Sequence, residues 1–222
     1  MEQKSEEWYE ARKGRITGSV VGAILGLAPY MTRDDVLRQM VRDYHGAASE
    51  FETNPAIEWG VANEATATAM FELETGMKVS PVGFLPFGDH YGASPDGLIG
   101  DYAIFECKCP FSARKEAKFK TLAEQPHYVA QLEFEMKATG VSKAYFWQWS
   151  PHGHSLTEYE TRQSWWDTAL PELDAFWSEY MSELDNPAHL EPKRIDLTGN
   201  NRAVMLVAEY DDLREARDNA EE

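Results

Sequence analysis

SPDGLIGDYAIFECKCPF, residues 94–111, is the stretch on which the reading of this chain turns. Gly100-Asp101, with or without Tyr102, has the composition of a tight turn, and the apolar runs on either side read as two antiparallel strands. Pairing across a loop of two or three residues sets Asp96 opposite Phe105 or Glu106. On the second strand, the period of two puts Ile104, Glu106 and Lys108 on one face and Phe105, Cys107 and Cys109 on the other. The expectation is an apolar face in the core and a charged face open on a cleft.

Two carboxylates drawn together at a hairpin repel one another, and burial penalises each. A divalent cation relieves both effects, and a small set of hard oxygen ligands suits Mg²⁺, with Mn²⁺ as the alternative. Such an ion activates water and stabilises charge on a phosphate, while Lys108 beside it can orient or deprotonate the attacking water. That is the chemistry of phosphodiester hydrolysis. For an arbitrary D-x9-E-x-K string, a surface hairpin carrying a Glu-Lys ion pair is the commoner outcome. Pro95 before the Asp, Gly97 after it and the otherwise apolar second strand set this stretch apart, as does a Glu-bearing helix upstream.

Outward from the hairpin, Thr32 before Arg33-Asp34-Asp35 reads as a helix N-cap. Val36, Leu37, Met40, Val41 and Tyr44 follow at helical spacing as far as Gly46. A second helix is expected from Pro55 to Gly76, with Glu58 and Glu64 projecting from it. Met77 to Pro110 reads as a meander of short strands. Helical period returns weakly over Arg114 to Leu122 and clearly over Pro126 to Ala138. Strands are expected at Lys143 to Ser150 and Leu156 to Thr161, then a Trp-rich helix from Ser164 to Leu184, kinked or restarted at Pro171. One more charged helix is expected after Arg202. This order predicts an α/β (α+β) domain with a central mixed β-sheet flanked by helices, over residues 1–185, followed by an acidic helical extension over 186–222.

The 222 residues suffice for a substantial core, and 43% apolar content with seven Trp excludes long disorder over most of the chain. Only Cys107 and Cys109 occur, too close along one strand for an ordinary disulfide. No long apolar run and no signal-like N-terminus is present, so the reading is a soluble, cytoplasmic protein without a membrane partner. The formal net charge of −17 argues against a passive DNA-coating protein. That surplus is uneven: residues 158–222 hold 17 acidic and 6 basic residues, whereas Lys108 to Lys120 holds five basic and one acidic.

Pro95-Asp96 and Glu106-Cys107-Lys108 match the PD-(D/E)xK nuclease signature. Within that superfamily the chain resembles the phage-lambda-type exonucleases, the YqaJ-like viral recombinases. WYEARKGRITGS (Trp8 to Ser19), WGVANE (Trp59 to Glu64), GASPDGL, ECKCPF and YVAQLEFEM (Tyr128 to Met136) agree with the family in order and spacing, together spanning about residues 8 to 185. The resemblance implies a restriction-endonuclease-like core, with Asp96, Glu106 and the Cys107 backbone carbonyl as metal ligands and Lys108 as catalytic lysine. It adds Glu64 and Gln131 to the active site, and gives Arg12, Ser19, Ser94 and Arg114 to a pocket for the terminal 5′-phosphate. It further implies a Mg²⁺-dependent 5′-to-3′ exonuclease that acts on double-stranded DNA ends and leaves 3′ single strands. Such an enzyme would be a homotrimeric ring, partnered by a single-strand annealing protein in phage or prophage recombination.

Each residue also has a plainer reading. Arg12 with Lys13 and Arg15 can be a solvated basic turn, Glu64 an exposed helix residue, and Gln131 a solvent-facing amide. Cys107 and Cys109 fit core packing better than half of a metal site, and His152 with His154 is a weak metal candidate. Two other functions compete: an endonuclease of the restriction or repair type on the same fold, and a catalytically dead acidic adaptor.

Overall fold

Two mixed sheets, where the sequence predicts one, organise the chain. The computed structural model describes residues 3–48, 50, 53–192, 202, 205–206, 209–210, 213–214 and 217. In chain order the elements are α1 (Glu6–Arg12), β1 (Ile16–Thr17), α2 (Gly18–Ile24), α3 (Arg33–Tyr44) and α4 (Pro55–Thr75), then β2 (Leu85–Phe87), β3 (Tyr91–Ala93), β4 (Gly97–Ile99) and β5 (Ala103–Lys108). After these come α5 (Pro126–Thr139), β6 (Lys143–Ser150), β7 (Gly153–Glu160) and α6 (Gln163–Glu183). The sheets run β1-β3-β2 and β4-β5-β6-β7, so the expected meander over Met77 to Pro110 is divided between them. The chain falls into two compact units, Met1–Leu190 and Glu191–Glu222. In the second, the described residues 202, 205–206, 209–210, 213–214 and 217 are helical; the rest of the helix expected there lies outside the described residues.

Local chemistry sets the helix ends as the sequence implies. Thr32 and Asp35 form a reciprocal capping box at the start of α3. Asn54 accepts from the Ala56 and Ile57 amides at the start of α4, with Pro55 in its first turn and left-handed Gly76 at its end.

The four-stranded sheet is covered on both faces. On one side, Phe71 of α4 meets Phe105 at a ring separation of 4.6 Å and packs with Cys107, Cys109 and Trp147. On the other, Leu132 and Met136 of α5 cover Ile104 and Phe146. Ala130 and Phe134 of α5 face a second cluster with Ile16, Tyr91, Trp166 and Leu173, so α5 serves both sheets. Glu133 anchors it: the buried carboxylate accepts from the Tyr159 hydroxyl (2.6 Å), the Thr161 hydroxyl (2.6 Å) and the Arg162 amide (2.9 Å).

Four expectations change. Only part of the charged face of β5 opens on a cleft: Lys108 reaches its wall, whereas Glu106 is only 1% exposed beneath α5. The weak helix over Arg114 to Leu122 is absent; two 3-10 turns, Phe111–Ala113 and Leu122–Glu124, bracket the segment. Five of the seven residues 114–120 are charged, leaving no apolar stripe to bury. α6 runs through Pro171 as one helix. That proline is exposed while Trp166, Leu173 and Phe176 are buried, so packing outweighs the lost backbone bond. α1 and α2 are additions, seven residues each and too short to show a helical period. No described helix is long and apolar enough to cross a membrane.

α2 and α5 touch at Gly22, where an added β-carbon would lie 2.7 Å from His127 Cβ and 2.9 Å from His127 Cα. Gly22→Ala is therefore expected to destabilise by about 1–3 kcal/mol in urea unfolding. Gly60→Ala, inside α4 with nothing within 4 Å, is expected to stabilise by up to about 1 kcal/mol.

Candidate active site

The hairpin register delivers the carboxylate pair. Gly97 pairs with Phe105, and one more step along the same register places Asp96 opposite Glu106. Asp96 Oδ2 accepts the Cys107 amide at 2.8 Å, which fixes the carboxylate against the strand. Glu106 Oε1 accepts from Lys108 Nζ at 2.5 Å and from Gln131 Nε2 at 2.6 Å, whereas its buried Oε2 has no partner. Lys108 Nζ also lies 5.1 Å from the centre of the Tyr128 ring.

Burial, then the neighbouring Glu106, pushes the Asp96 carboxyl well above the usual carboxylate range, against the pull of Lys108 and the Cys107 amide. Burial opposes the charge on Lys108, yet Glu106 and Asp96 outweigh it and hold the ammonium well above its ordinary range. Of the two roles the sequence allows Lys108, orienting water and deprotonating it, this ion pair favours the first.

Asp96, Cys107, Lys108 and Glu64 open on a cleft of about 1050 Å³, whose walls also carry Arg114, Lys118 and Lys120. Glu64 is half-buried on α4, with Lys4 Nζ 3.4 Å from its Oε2.

Three of the four residues assigned to a phosphate pocket gather elsewhere. Arg12 Nη2 donates to Ser19 Oγ at 3.1 Å and to Thr17 Oγ1 at 3.4 Å, and its guanidinium lies 4.1 Å over the Trp8 ring. The Trp8 indole in turn donates to Ser94 Oγ at 2.9 Å. Burial lowers the Arg12 pKa, with Tyr9 and Glu135 acting the other way. A guanidinium flanked by hydroxyls and stacked on an indole is suited to an oxygen anion. Arg114 lies on the cleft wall, stacked 3.8 Å over Phe111 and donating to the Phe111 carbonyl.

Trp8 and Thr17 were not singled out from sequence, although the i, i+4 spacing of Trp8 and Arg12 on α1 is a legible signal. Glu135 was missed altogether. It is 1% exposed, and its Oε1 accepts from Gln131 Nε2 at 2.8 Å. Burial, then Glu106, raises its carboxyl well above the usual range. Cys107 and Cys109 are free, buried thiols of the core. His154 stacks on Trp147 at 4.4 Å, a packing role.

Among the described residues no group of three or more His, Cys, Asp and Glu side chains is arranged to hold a metal. A hard cation would instead rest on Asp96, Glu106 and a backbone carbonyl such as that of Cys107, with water completing the shell. The residues fit that use: two buried carboxylates repel, and one buried oxygen of Glu106 lacks a partner.

Residues 7–142 match the family of YqaJ-like viral recombinase domains. The fold is similar to an alkaline exonuclease from Laribacter hongkongensis, at 28% identity over 82% of this chain and 95% of that one, with a TM-score of 0.67. A second structure of that enzyme, in complex with dAMP, aligns at the same identity and coverage with a TM-score of 0.68. A phage-related exonuclease from Haemophilus somnus shares the fold at 14% identity, with 77% of this chain and 96% of that one covered and a TM-score of 0.60. No curated protein matches the chain.

The raised Asp96 pKa has a definite sign. The folded chain keeps a proton that the unfolded chain releases near the ordinary value of 3.8, so this carboxyl costs stability as pH rises above that value. In chelator, Asp96→Asn is expected to be about 0.5–2 kcal/mol more stable than wild type near neutral pH. The difference should close toward pH 4, as read by urea unfolding at both pH values.

Proposed function

The chain belongs to the family of YqaJ-like viral recombinase domains, and from that membership together with the buried carboxylate pair we propose that it is a Mg²⁺-dependent 5′-to-3′ exonuclease. It is a nuclease acting on DNA. In the finer reading it degrades one strand of linear double-stranded DNA from a 5′-phosphorylated end and leaves a 3′ overhang for single-strand annealing. The observation that carries this reading is the Asp96–Glu106 pair, with Glu106 buried, one of its oxygens unpartnered, and tied to Lys108 at the wall of a cleft that also carries Arg114, Lys118 and Lys120.

Roles follow from chemistry. Asp96, Glu106 and the Cys107 carbonyl hold the cation, with Mn²⁺ able to substitute; when bound, it supplies an activated water and neutralises charge on the scissile phosphate. Lys108, as a cation, orients the water, and Gln131 and Glu64 complete the polar surround. Arg12, Ser19 and Ser94 receive the terminal phosphate, supported by Trp8 and Thr17. Arg114, on the cleft wall with Lys118 and Lys120, is the fourth residue of that phosphate pocket. The nuclease domain occupies residues 1–185 and 186–222 form an acidic extension. The assembly is a homotrimeric ring working with a single-strand annealing protein in the cytoplasm of a bacterial host, during phage or prophage recombination.

The test is a time course on end-labelled linear duplex with Mg²⁺, comparing 5′-phosphate with 5′-hydroxyl ends. Loss of label from the 5′ end, faster on the phosphorylated substrate, is expected, while closed circular DNA stays intact. Asp96→Ala should abolish the activity; an equally active variant, or cleavage of the circle, sinks the reading. Arg12→Ala is expected to erase most of the preference for 5′-phosphate, about tenfold or more for one lost charged hydrogen-bonding group.

A further inference from the structure

Glu135 is a buried carboxylate that neither the fold nor the reaction explains. Packing alone does not favour it: its Oε2 is buried without a partner, and a second anion, Glu106, stands on the other side of a single amide. An apolar residue of the same length would fill the space without that cost.

What the carboxylate does is visible in its contacts. Gln131 and Glu135 are four residues apart on α5 and share one face of the helix. Gln131 Nε2 has two hydrogens, and both are committed, one to Glu106 Oε1 and one to Glu135 Oε1. Turning the amide over would set its oxygen against two carboxylate oxygens, so the pair allows one orientation only. In that orientation the amide oxygen of Gln131 is left as an acceptor. Glu135 faces Gly18, where an added β-carbon would sit at ordinary contact distance, 3.5 Å from its Cγ and 3.6 Å from its Oε1. Gly18 stands between Thr17 and Ser19, the two hydroxyls that receive hydrogen bonds from Arg12.

We propose that Glu135 is a positioning residue for hydrolysis, clamping the Gln131 amide against Glu106. The inference rests on the nuclease reading above and adds to it a residue whose work is done through another. With the clamp in place, the Gln131 oxygen has a fixed direction from which to accept a proton of the attacking water. Without it, the amide keeps one carboxylate partner and gains a free torsion.

The experiment measures kcat and KM on 5′-phosphorylated linear duplex with Mg²⁺, together with Tm. Glu135→Met removes the acceptor and keeps the volume. Its kcat is expected to fall about 10- to 100-fold, as for a catalytic group displaced by about an ångström, with KM within about threefold and Tm no lower than wild type. Glu135→Gln retains an oxygen for Gln131 and should restore kcat to within about threefold. Gln131→Ala combined with Glu135→Met should lose no more than Gln131→Ala alone, because the two act in series. Unchanged kcat in Glu135→Met overturns the proposal, as do losses that multiply in the double variant, a Glu135→Gln as slow as Glu135→Met, or a Glu135→Met that melts lower or fails to fold. A wild type inactive on this substrate would instead refute the nuclease reading itself.

Discussion

Two carboxyl groups drawn together on a shared hairpin, one buried and one at a cleft wall, are the constraint to which the first unit is fitted. Asp96 and Glu106 face each other across the β4–β5 register, under a sheet whose two faces are both covered. Burial and mutual repulsion each oppose the charged forms. Every nearby donor is accordingly directed at the pair: the Cys107 amide to Asp96, and Lys108 and Gln131 to Glu106. Even so, Glu106 Oε2 is left without a partner. A fold selected for stability alone would replace such a pair with apolar residues, so its retention is an observation about chemistry.

α5 is the element through which the fold meets this constraint. Alternate residues along one stretch do three jobs: Gln131 and Glu135 face the anionic centre, Leu132 and Met136 cover the four-stranded sheet, and Glu133 locks the helix to the end of β7. The Glu133 carboxylate is as buried as the others but takes three donors, which makes it a joint rather than a reactive group. Because Gly22 brings α2 to within backbone contact of His127, the helix carrying Ser19 is fixed to the helix carrying Gln131. The Arg12–Ser19 cluster and the Asp96–Glu106 pair are thereby linked through the α2–α5 contact.

Much of this was legible along the chain because local rules carry it. The Thr32 and Asn54 caps, the left-handed Gly76 and the period-two strand at Lys143 to Ser150 need only neighbours in sequence. The Asp96–Glu106 register needed only a turn length. What sequence could not supply depends on who packs on whom. Burial of Glu106 requires α5 to lie on β5, and the first sheet is completed by β1, a two-residue strand with no pattern of its own. Glu133 and Glu135 are identical residues two positions apart with different surroundings, and only the tertiary contacts distinguish a joint from a clamp. The course of the charged 114–120 run has the same origin: it forms no helix, and Arg114, Lys118 and Lys120 line the cleft.

The net charge of −17 must still be reconciled with a polyanionic substrate. Within the first unit, part of the acidic surplus after residue 157 is spent on structure: Glu179 pairs with Arg33, and Asp174 accepts from the Tyr91 hydroxyl. No described residue of α6 lines the cleft, whose walls carry Lys108, Arg114, Lys118 and Lys120 against Glu64, Asp96 and Glu124. At physiological salt, charges more than about 8 Å apart across solvent are largely screened, so a strand in the cleft responds to those walls and little to the total. The few cations on that wall imply few displaced counterions and a shallow dependence of binding on salt. In the exonuclease reading proposed above, a weak local grip would suit an enzyme that advances along its substrate, since every tight phosphate contact would have to be broken at each step.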